Sequence, residues 1–449
     1  MWTRRQFLWV AGAPLLAQSQ ARPNVVLLVA DDLGYGDLSS YGAPDIQTPN
    51  IDSLGRDGVR FTQFYANAPE CTPTRTALLT GRYQQRVGGL ECAIGVDDVG
   101  RYDEAEWLAN RGELGLPTSE ATMAALFKKA GYRTGMFGKW HLGYRDKFRP
   151  ERHGFDAAFG ILGGNADYFT HREDNGREVL FKNGSMIRRE GYLTDLFVEE
   201  AVAWLRQPGL RRNTPFFLYV PFTAPHTPIQ DPDGFDPATG TAPRRQGDRS
   251  LYAKMVERMD RRIGAILGEI EQQGAAENTI VIFISDNGAD ANGRNAPFRG
   301  RKSALWEGGI RVPCLIRWPA KLPRGAVCEQ VMLTMDLAPT LLAACGIGPP
   351  RRGFDGENLL AEVSGAAPRP RRVFWRYKRG ENRRKALRDG DVKYINDNGD
   401  EFLYDLARDP GEERNLLQAD AARAEPYRKQ VEAWEREVAA PRLRRFPRG

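Results

Sequence analysis

At 449 residues the chain is long enough to bury a sizeable core and is far larger than a disulfide-stapled scaffold. Hydrophobic residues at 41% and charged residues at 27% are those of a globular protein, which excludes a disordered, collagenous or polytopic membrane chain. The 64 basic and 58 acidic residues give a net charge of +6, too mild to imply nucleic-acid binding but compatible with an anionic substrate, and five cysteines are too few for a disulfide framework.

Met1 to Ala21 has a short polar start with Arg4 and Arg5, an apolar stretch from Phe7 to Ala17 and a small-residue exit at Ser19-Gln20-Ala21, which marks residues 1–21 as a targeting segment. Its apolar part is shorter than the roughly 20 residues a bilayer requires. Arg4 and Arg5 before Gln6-Phe7-Leu8 resemble the twin-arginine signal, which carries folded proteins across the bacterial inner membrane. An ordinary secretory signal that happens to hold two arginines is the competing reading. Both make the export machinery a partner and start the mature chain near Arg22, periplasmic or secreted. With no further apolar run of spanning length, no membrane anchor is expected after the signal is removed.

Asn24 to Ala30 is a continuous valine-rich run, the mark of a parallel strand covered on both faces, and it ends in Asp31-Asp32. Tyr132 to Phe137 runs into Gly138-Lys139-Trp140-His141, Pro215 to Phe222 into Ala224-Pro225-His226, and Thr279 to Ser285 into Asp286-Asn287-Gly288. Helical stretches such as Ser119 to Ala130 and Leu251 to Gln273 lie between them, which predicts an α/β fold with an open, parallel sheet. In such sheets ligands gather at the carboxyl ends of the strands, where Asp31, Asp32, Lys139, His141, His226, Asp286 and Asn287 emerge. Any one of these residues alone is more simply a turn former or helix cap. Four strands ending alike favour convergence on one site. Three carboxylates and an amide are hard oxygen donors, suited to Ca²⁺ or Mg²⁺ rather than zinc; Ca²⁺ is preferred, because a site of protein oxygens matches its larger coordination number.

Cys71 to Gly81 (CTPTRTALLTG) places proline in a first helical turn and glycine at a helix end, with Cys71 at the helix mouth. Free N–H groups there favour an anion, and Arg75, one turn in, adds a bidentate donor. Helix arguments alone leave open a buried structural cysteine beside a solvent-facing arginine.

Further along, Gly163 to His171 is loop-like, and Asn165, Asp167 and His171 either border a substrate pocket or merely connect. His153 reads as structural. Cys92, Cys314, Cys328 and Cys345 read as buried free thiols, although a disulfide could form after export. From Gly346 to Arg372 the composition shifts to Gly, Pro and Arg, which sets a boundary between a domain at 22–350 and a small α+β domain at 351–449. Short strand-like runs at Val373–Tyr377, Arg384–Arg388, Val392–Asn396 and Glu401–Asp405 predict an antiparallel sheet, closed by a helix at Ala421–Val438. The arginine-dense stretches from Arg369 to Arg388 and Arg442 to Arg448 read as a solvated basic surface in preference to a dedicated polyanion site.

With these pieces in view, the chain resembles the sulfatases of the alkaline-phosphatase-like superfamily. Their C-x-P-x-R signature, followed four residues later by T-G, stands unbroken from Cys71 to Gly81. The match continues in Asp31-Asp32, Thr48-Pro49-Asn50-Ile51-Asp52, Gly138 to Gly143, Ala224-Pro225-His226, Ser285 to Gly288, Arg299 to Lys302, Glu307 to Pro313 and Leu403 to Leu406. The resemblance implies a large mixed, mainly parallel sheet flanked by helices, with a small C-terminal domain of antiparallel sheet and helix. It implies that a maturation enzyme oxidises Cys71 to formylglycine, whose hydrate is the nucleophile, and that Asp31, Asp32, Asp286, Asn287 and residue 71 hold one calcium ion. In this scheme one geminal hydroxyl attacks sulfur and the alcohol leaves; His141 then takes the proton of the other hydroxyl and sulfate is expelled. Arg75 and Lys139 neutralise charge, while His226 and Lys302 grip the sulfate and protonate the leaving oxygen. The implied substrate is an O-sulfated carbohydrate or an aryl sulfate. A phosphonate or phosphate monoester hydrolase of the same superfamily and a non-catalytic binder of sulfated polymers are the rival readings.

Overall fold

The computed structural model describes residues 22–210 and 214–447, so the targeting segment at 1–21 lies outside the described residues. In chain order the strands are β1 (Asn24–Ala30), β2 (Val59–Phe61), β3 (Phe64–Tyr65), β4 (Arg133–Lys139), β5 (Ala157–Ile161), β6 (Leu180–Lys182), β7 (Ser185–Met186) and β8 (Phe216–Pro221). They continue with β9 (Thr279–Ser285), β10 (Cys314–Arg317), β11 (Ala326–Cys328), β12 (Met332–Leu333), β13 (Arg372–Arg379), β14 (Asn382–Asp389), β15 (Val392–Asp397) and β16 (Asp400–Asp405). Ten of them build one sheet in the order β11-β2-β10-β9-β1-β8-β4-β5-β6-β7. From β9 across β1, β8 and β4 to β5 every pairing is parallel, and antiparallel pairings appear toward the edges.

The run of apolar residues in β1 is explained by its two faces. Val25, Leu27 and Val29 enter one hydrophobic cluster, and Val26, Leu28 and Ala30 enter the other, as the two-residue period of a strand requires. Helices Leu193–Leu205 and Arg249–Gln272 cover the second face, whereas Cys71–Thr80, Met123–Lys129 and Leu337–Ala344 cover the first. Parallel register puts Ala30 beside Ser285 and Val29 beside Pro221, so the residues that follow these strands emerge at one edge of the sheet.

The C-terminal strands form a meander, β13-β14-β15-β16, backed by the helix Glu425–Glu437, where Trp434 stacks on Phe374. Trp375, Tyr377 and Ala386 of this small sheet enter the same cluster as Leu27 and Leu78, so the two sheets share one core. Across the junction Lys393 Nζ, fully buried, bridges Glu307 and Glu412 at 2.8 Å each.

Element ends differ from the sequence expectations in instructive ways. β4 runs through Gly138 to Lys139, two residues beyond its apolar run, because Gly138 and Lys139 still pair with Gly160 and Ile161. The helix expected from Ser119 begins at Met123, since Thr122 caps it by accepting from Ala125 N. The closing helix begins at Glu425 rather than Ala421; Asp420 caps a separate 3₁₀ turn there, and Pro426 starts the α-helix. No helix among the described residues is long and apolar enough to cross a membrane.

Candidate active site

The edge formed by the carboxyl ends of β1, β4, β8 and β9 gathers the polar residues that follow each strand. Asp31 N donates to Ala224 O and Asp286 N to Ala30 O, which locks three of these turns together. Asp32 and His141 both hold left-handed backbone, with φ of 61° and 54°, a conformation that costs energy for a non-glycine residue and persists where surrounding structure imposes it. Asp32 is held by Lys302 Nζ and Asn287 Nδ2, each 2.7 Å from its carboxylate. Burial raises the pKa of Asp32, but Lys302 and His226 outweigh it and keep the group well below the ordinary carboxylate range.

Cys71 is the first residue of its helix rather than the residue before it, with Glu70 in extended conformation at the N-cap. All ten residues of that helix are buried, and it stops at Gly81 in the left-handed region. Arg75, four residues on, therefore lies under Cys71 and is buried, not solvent-facing: it donates through Nε to Asp286 (3.0 Å) and through Nη1 to Lys139 O, and its Nη2 forms an ion pair with Asp286 at 2.8 Å. Lys139 Nζ reaches Asp31 at 2.5 Å.

Cys71 Sγ stands 3.1 Å from His141 Nδ1, while His141 Nε2 lies 2.9 Å from Ile94 O. A carbonyl can only accept, so Nε2 carries the hydrogen and Nδ1 turns its lone pair toward residue 71. Burial and then Lys139 push the imidazole pKa well below its ordinary value, leaving the ring neutral. Gly164 is packed over this ring, where a Cβ would stand 2.6 Å from His141 Cε1. Burial raises the Cys71 thiol despite the neighbouring Lys139, so no reactive thiolate is prepared here. His226 donates Nδ1–H to Thr227 O and presents Nε2 3.5 Å from Asp32; burial and Lys302 lower its pKa to about 3.

The donor set fits a hard divalent cation. Ligand atoms of Asp31, Cys71 and Asp286 all lie within 4.8 Å of one another, as do those of Asp31, Asp32 and His226. Two buried oxygens, Asp31 Oδ1 and Asn287 Oδ1, have no hydrogen-bond partner, an expensive condition that a cation relieves. Burial and the adjacent Asp31 push Asp286 up to about 6, although Arg75 pairs with it at 2.8 Å.

Above this floor opens a cavity of about 400 Å³ lined by Cys71, His141, His226, Lys302 and Asn165. A larger one, about 650 Å³, lies at the amino ends of the strands beside Asn24 and Phe216 and contains none of these groups. Of the three loop residues expected at the pocket, the structure puts only Asn165 on its wall. Asp167 is buried and spends its carboxylate on Phe169 N, Thr170 N, Gln230 and Thr241. His171 donates to Gly191 O and faces a separate cavity beside Phe169 and Arg189. Both stabilise the loop that carries Asn165. His153 is buried against Trp140, and Cys92, Cys314, Cys328 and Cys345 are buried and free. Sequence reasoning missed Glu70, Arg101, Arg301 and Arg379, which also line the cavity.

A family model described as Sulfatase matches residues 23–347, and one described as N-sulphoglucosamine sulphohydrolase, C-terminal, matches residues 300–435. The chain belongs to the sulfatase family. This sulfatase is 35% identical over 394 residues to the N-acetylgalactosamine-6-sulfatase of Canis lupus familiaris, spanning 83% of this chain and 70% of that one. Among solved structures it resembles Ps i-CgsB in complex with k-i-k-neocarrahexaose, at a TM-score of 0.80 and 29% identity over 92% of this chain and 93% of that one. The phosphonate monoester hydrolase of Agrobacterium radiobacter shares the fold, with a TM-score of 0.65 at 23% identity over 93% and 96% of the two chains. The protein is accordingly a sulfate-ester hydrolase with a large, mainly parallel sheet and an antiparallel C-terminal sheet.

Proposed function

We propose that this sulfatase removes sulfate from an O-sulfated sugar, with residue 71 acting as formylglycine and one calcium ion held by Asp31, Asp32, Asp286, Asn287 and residue 71. The observation that carries the proposal is the setting of Cys71: a buried thiol with a raised pKa, placed between a neutral histidine lone pair and a set of hard oxygen donors. That environment is useless for thiolate chemistry and suited to a hydrated aldehyde. The hydrate would supply one hydroxyl to attack sulfur and a second whose deprotonation expels sulfate. When bound, calcium would polarise that hydroxyl and a sulfate oxygen.

The chain's own residues do the rest. His141 Nδ1, neutral and fixed in tautomer by Ile94 O, accepts the proton of the second hydroxyl. Arg75 and Lys139 hold Asp286 and Asp31 in place and balance their charge. Lys302 faces the leaving oxygen; burial works against its charge, but Asp32 outweighs this and raises its pKa, so Lys302 carries a proton in the free enzyme. His226 begins neutral with its hydrogen on Nδ1, so its Nε2 donates to a sulfate oxygen only once the ring takes up a second proton as the anionic ester enters.

The sugar reading is supported by the carbohydrate ligand of Ps i-CgsB and by the hexosamine sulfatase among the relatives. We further propose export by a twin-arginine-type signal to the periplasm or medium, resting on residues 1–21, and maturation of Cys71 by a formylglycine-generating enzyme in the producing cell.

Peptide mass spectrometry across residue 71, combined with sulfate release from defined sulfated sugars, 4-nitrophenyl sulfate and a matched aryl phosphonate, tests the proposal. Formylglycine at 71 and turnover of sugar sulfates are the expected results. Full activity with an unmodified Cys71, or a large preference for the phosphonate, overturns it.

A further inference from the structure

Beyond the reacting centre, the cavity wall is assembled from three segments far apart in sequence: the loop at 95–101, the loop at 299–303 and the turn between β13 and β14. They are stitched together. Gly380 N donates to Arg101 O at 2.7 Å, Arg384 donates to Ser303 O, and Ser303 Oγ donates to Glu70 at 2.8 Å. Glu70 is buried and fully engaged, accepting also from Ala93 N, Tyr377 Oη and Arg379. Burial raises its pKa, but Arg379 and Lys302 outweigh this and keep it ionised, so it cannot neutralise further cations.

On this frame Arg101 and Arg301 both line the cavity, and neither side chain has a hydrogen bond or ion pair among the described residues. The contrast with their surroundings is sharp. Arg75, Arg379 and Arg384 each have a carboxylate partner, and most arginines of the C-terminal sheet are paired. Arg101 is half-buried and lies along the backbone at Gly95, where an added Cβ would stand 3.2 Å from its Nε. Asp290 is the one carboxylate on the wall besides Glu70, and no ion pair joins it to either arginine. Two arginines without an ion pair on the wall of one small cavity, Arg101 half-buried and Arg301 exposed, favour an anion that arrives with the ligand, since each offers a planar fork for a carboxylate or sulfate. The ester sulfate itself belongs on the floor, with Lys302 and His226.

We infer that Arg101 and Arg301 bind a second anionic group, a sulfate or carboxylate on the same sugar or its neighbour, and so make this enzyme selective for polyanionic glycans. The inference rests on the sugar-sulfate reading above.

The test uses three disaccharides: one with a single sulfate ester, one with an added sulfate on the neighbouring sugar, and one with a uronate there. Wild type is expected to prefer an added charge by about tenfold or more in kcat/KM, and Arg101→Gln/Arg301→Gln to lose most of that preference. Which added group gives the larger preference tells sulfate from carboxylate. Calorimetric binding in a Cys71→Ala background, where turnover is absent, should show the same loss and separates this inference from the catalytic reading. If none of the three disaccharides is turned over, but binding still discriminates and the double variant abolishes discrimination, the subsite stands and the assigned reaction falls. Equal kcat/KM and equal binding for the singly and doubly charged ligands, or a preference that survives the double substitution, overturns the subsite.

Discussion

Replacing His141 by glutamine isolates the proton acceptor from its surroundings. Glutamine is close in volume and can still donate to Ile94 O, so the cavity over the ring and the packing of Gly164 change little. What it lacks is a basic lone pair 3.1 Å from residue 71. Loss of a positioned general base costs about 10²- to 10⁴-fold, or about 3–5 kcal/mol of barrier, so kcat should fall by that factor with KM within about a factor of three. The pH profile adds a second check. Because burial and Lys139 push the His141 pKa well below 6.5, the base is neutral at ordinary pH and is lost only when protonated. The acid limb of kcat in the wild type should therefore lie below pH 6.5, and the limb due to this group should be missing in His141→Gln. Both are read from 4-nitrophenyl sulfate turnover between about pH 5 and 9. A variant with wild-type kcat, or a wild-type acid limb centred above 6.5, refutes the assignment.

Calcium at a hundredfold excess over Kd should stabilise the chelator-treated protein by about 2.7 kcal/mol, seen as a raised thermal midpoint in differential scanning fluorimetry, and Asp31→Asn should remove most of that shift. The calcium effect should shrink below about pH 6, because Asp286, pushed up to about 6 by burial and Asp31, takes a proton that competes with the ion. In the metal-free protein the sign reverses: with its folded pKa above the usual 3.8, Asp286 adds stability as pH falls from about 6. Lys393→Met should cost about 3–5 kcal/mol in denaturant unfolding, since it leaves Glu307 and Glu412 buried without their shared cation. That cost should be greater at pH 8 than at pH 5, where the two carboxylates can take up protons instead. Gly164→Ala, whose Cβ must displace the His141 ring, should lower kcat by about tenfold or more while leaving the unfolding midpoint nearly unchanged.

Local signals carried much of this fold and site, and their limits have a physical cause. β1 and β9 begin and end as their apolar runs do, because strands buried on both faces must be apolar throughout and the first polar residue ends them. Asp31, Asp286 and Lys139 were visible for the same reason. The helix mouth at Cys71 was legible from Pro73 and Gly81, yet Arg75 could not be placed by helix arguments, since burial of a guanidinium depends on carboxylates over a hundred residues away. Asp167 and His171 share their loop and composition with Asn165; only tertiary hydrogen bonds separate a residue that shapes a loop from one that borders the cavity. Arg101 had no sequence signal, and Arg379 lay within an arginine-dense stretch that composition alone reads as solvated surface. Their proximity is created by the docking of the C-terminal sheet, through Gly380 N on Arg101 O, and no motif spans that interval. Glu70 and Arg301, by contrast, adjoin Cys71 and Lys302, so their positions were within reach of a closer look at the flanks of those motifs.

The charge balance of the floor constrains how the site can be dissected. Asp31, Asp32 and Asp286 are matched by Arg75, Lys139 and Lys302, so these six groups sum to zero before any divalent cation enters. Such matching keeps the cluster compatible with burial, because a charge with a bonded partner avoids the full desolvation cost. It also means that these six side chains alone have little net attraction for an anionic ester, an attraction that the proposed calcium ion would supply. Removing one member, as in Lys139→Met, leaves buried Asp31 with only its 3.7 Å ion pair to Arg75, so lost turnover would mix catalysis with misfolding. Lys139→Met combined with Asp31→Asn restores the balance. If Lys139 serves only to hold Asp31 ionised, the double variant should regain the stability lost in Lys139→Met but none of the activity, because the oxygen donor is gone. Recovery of both would show that neither charge is needed for turnover.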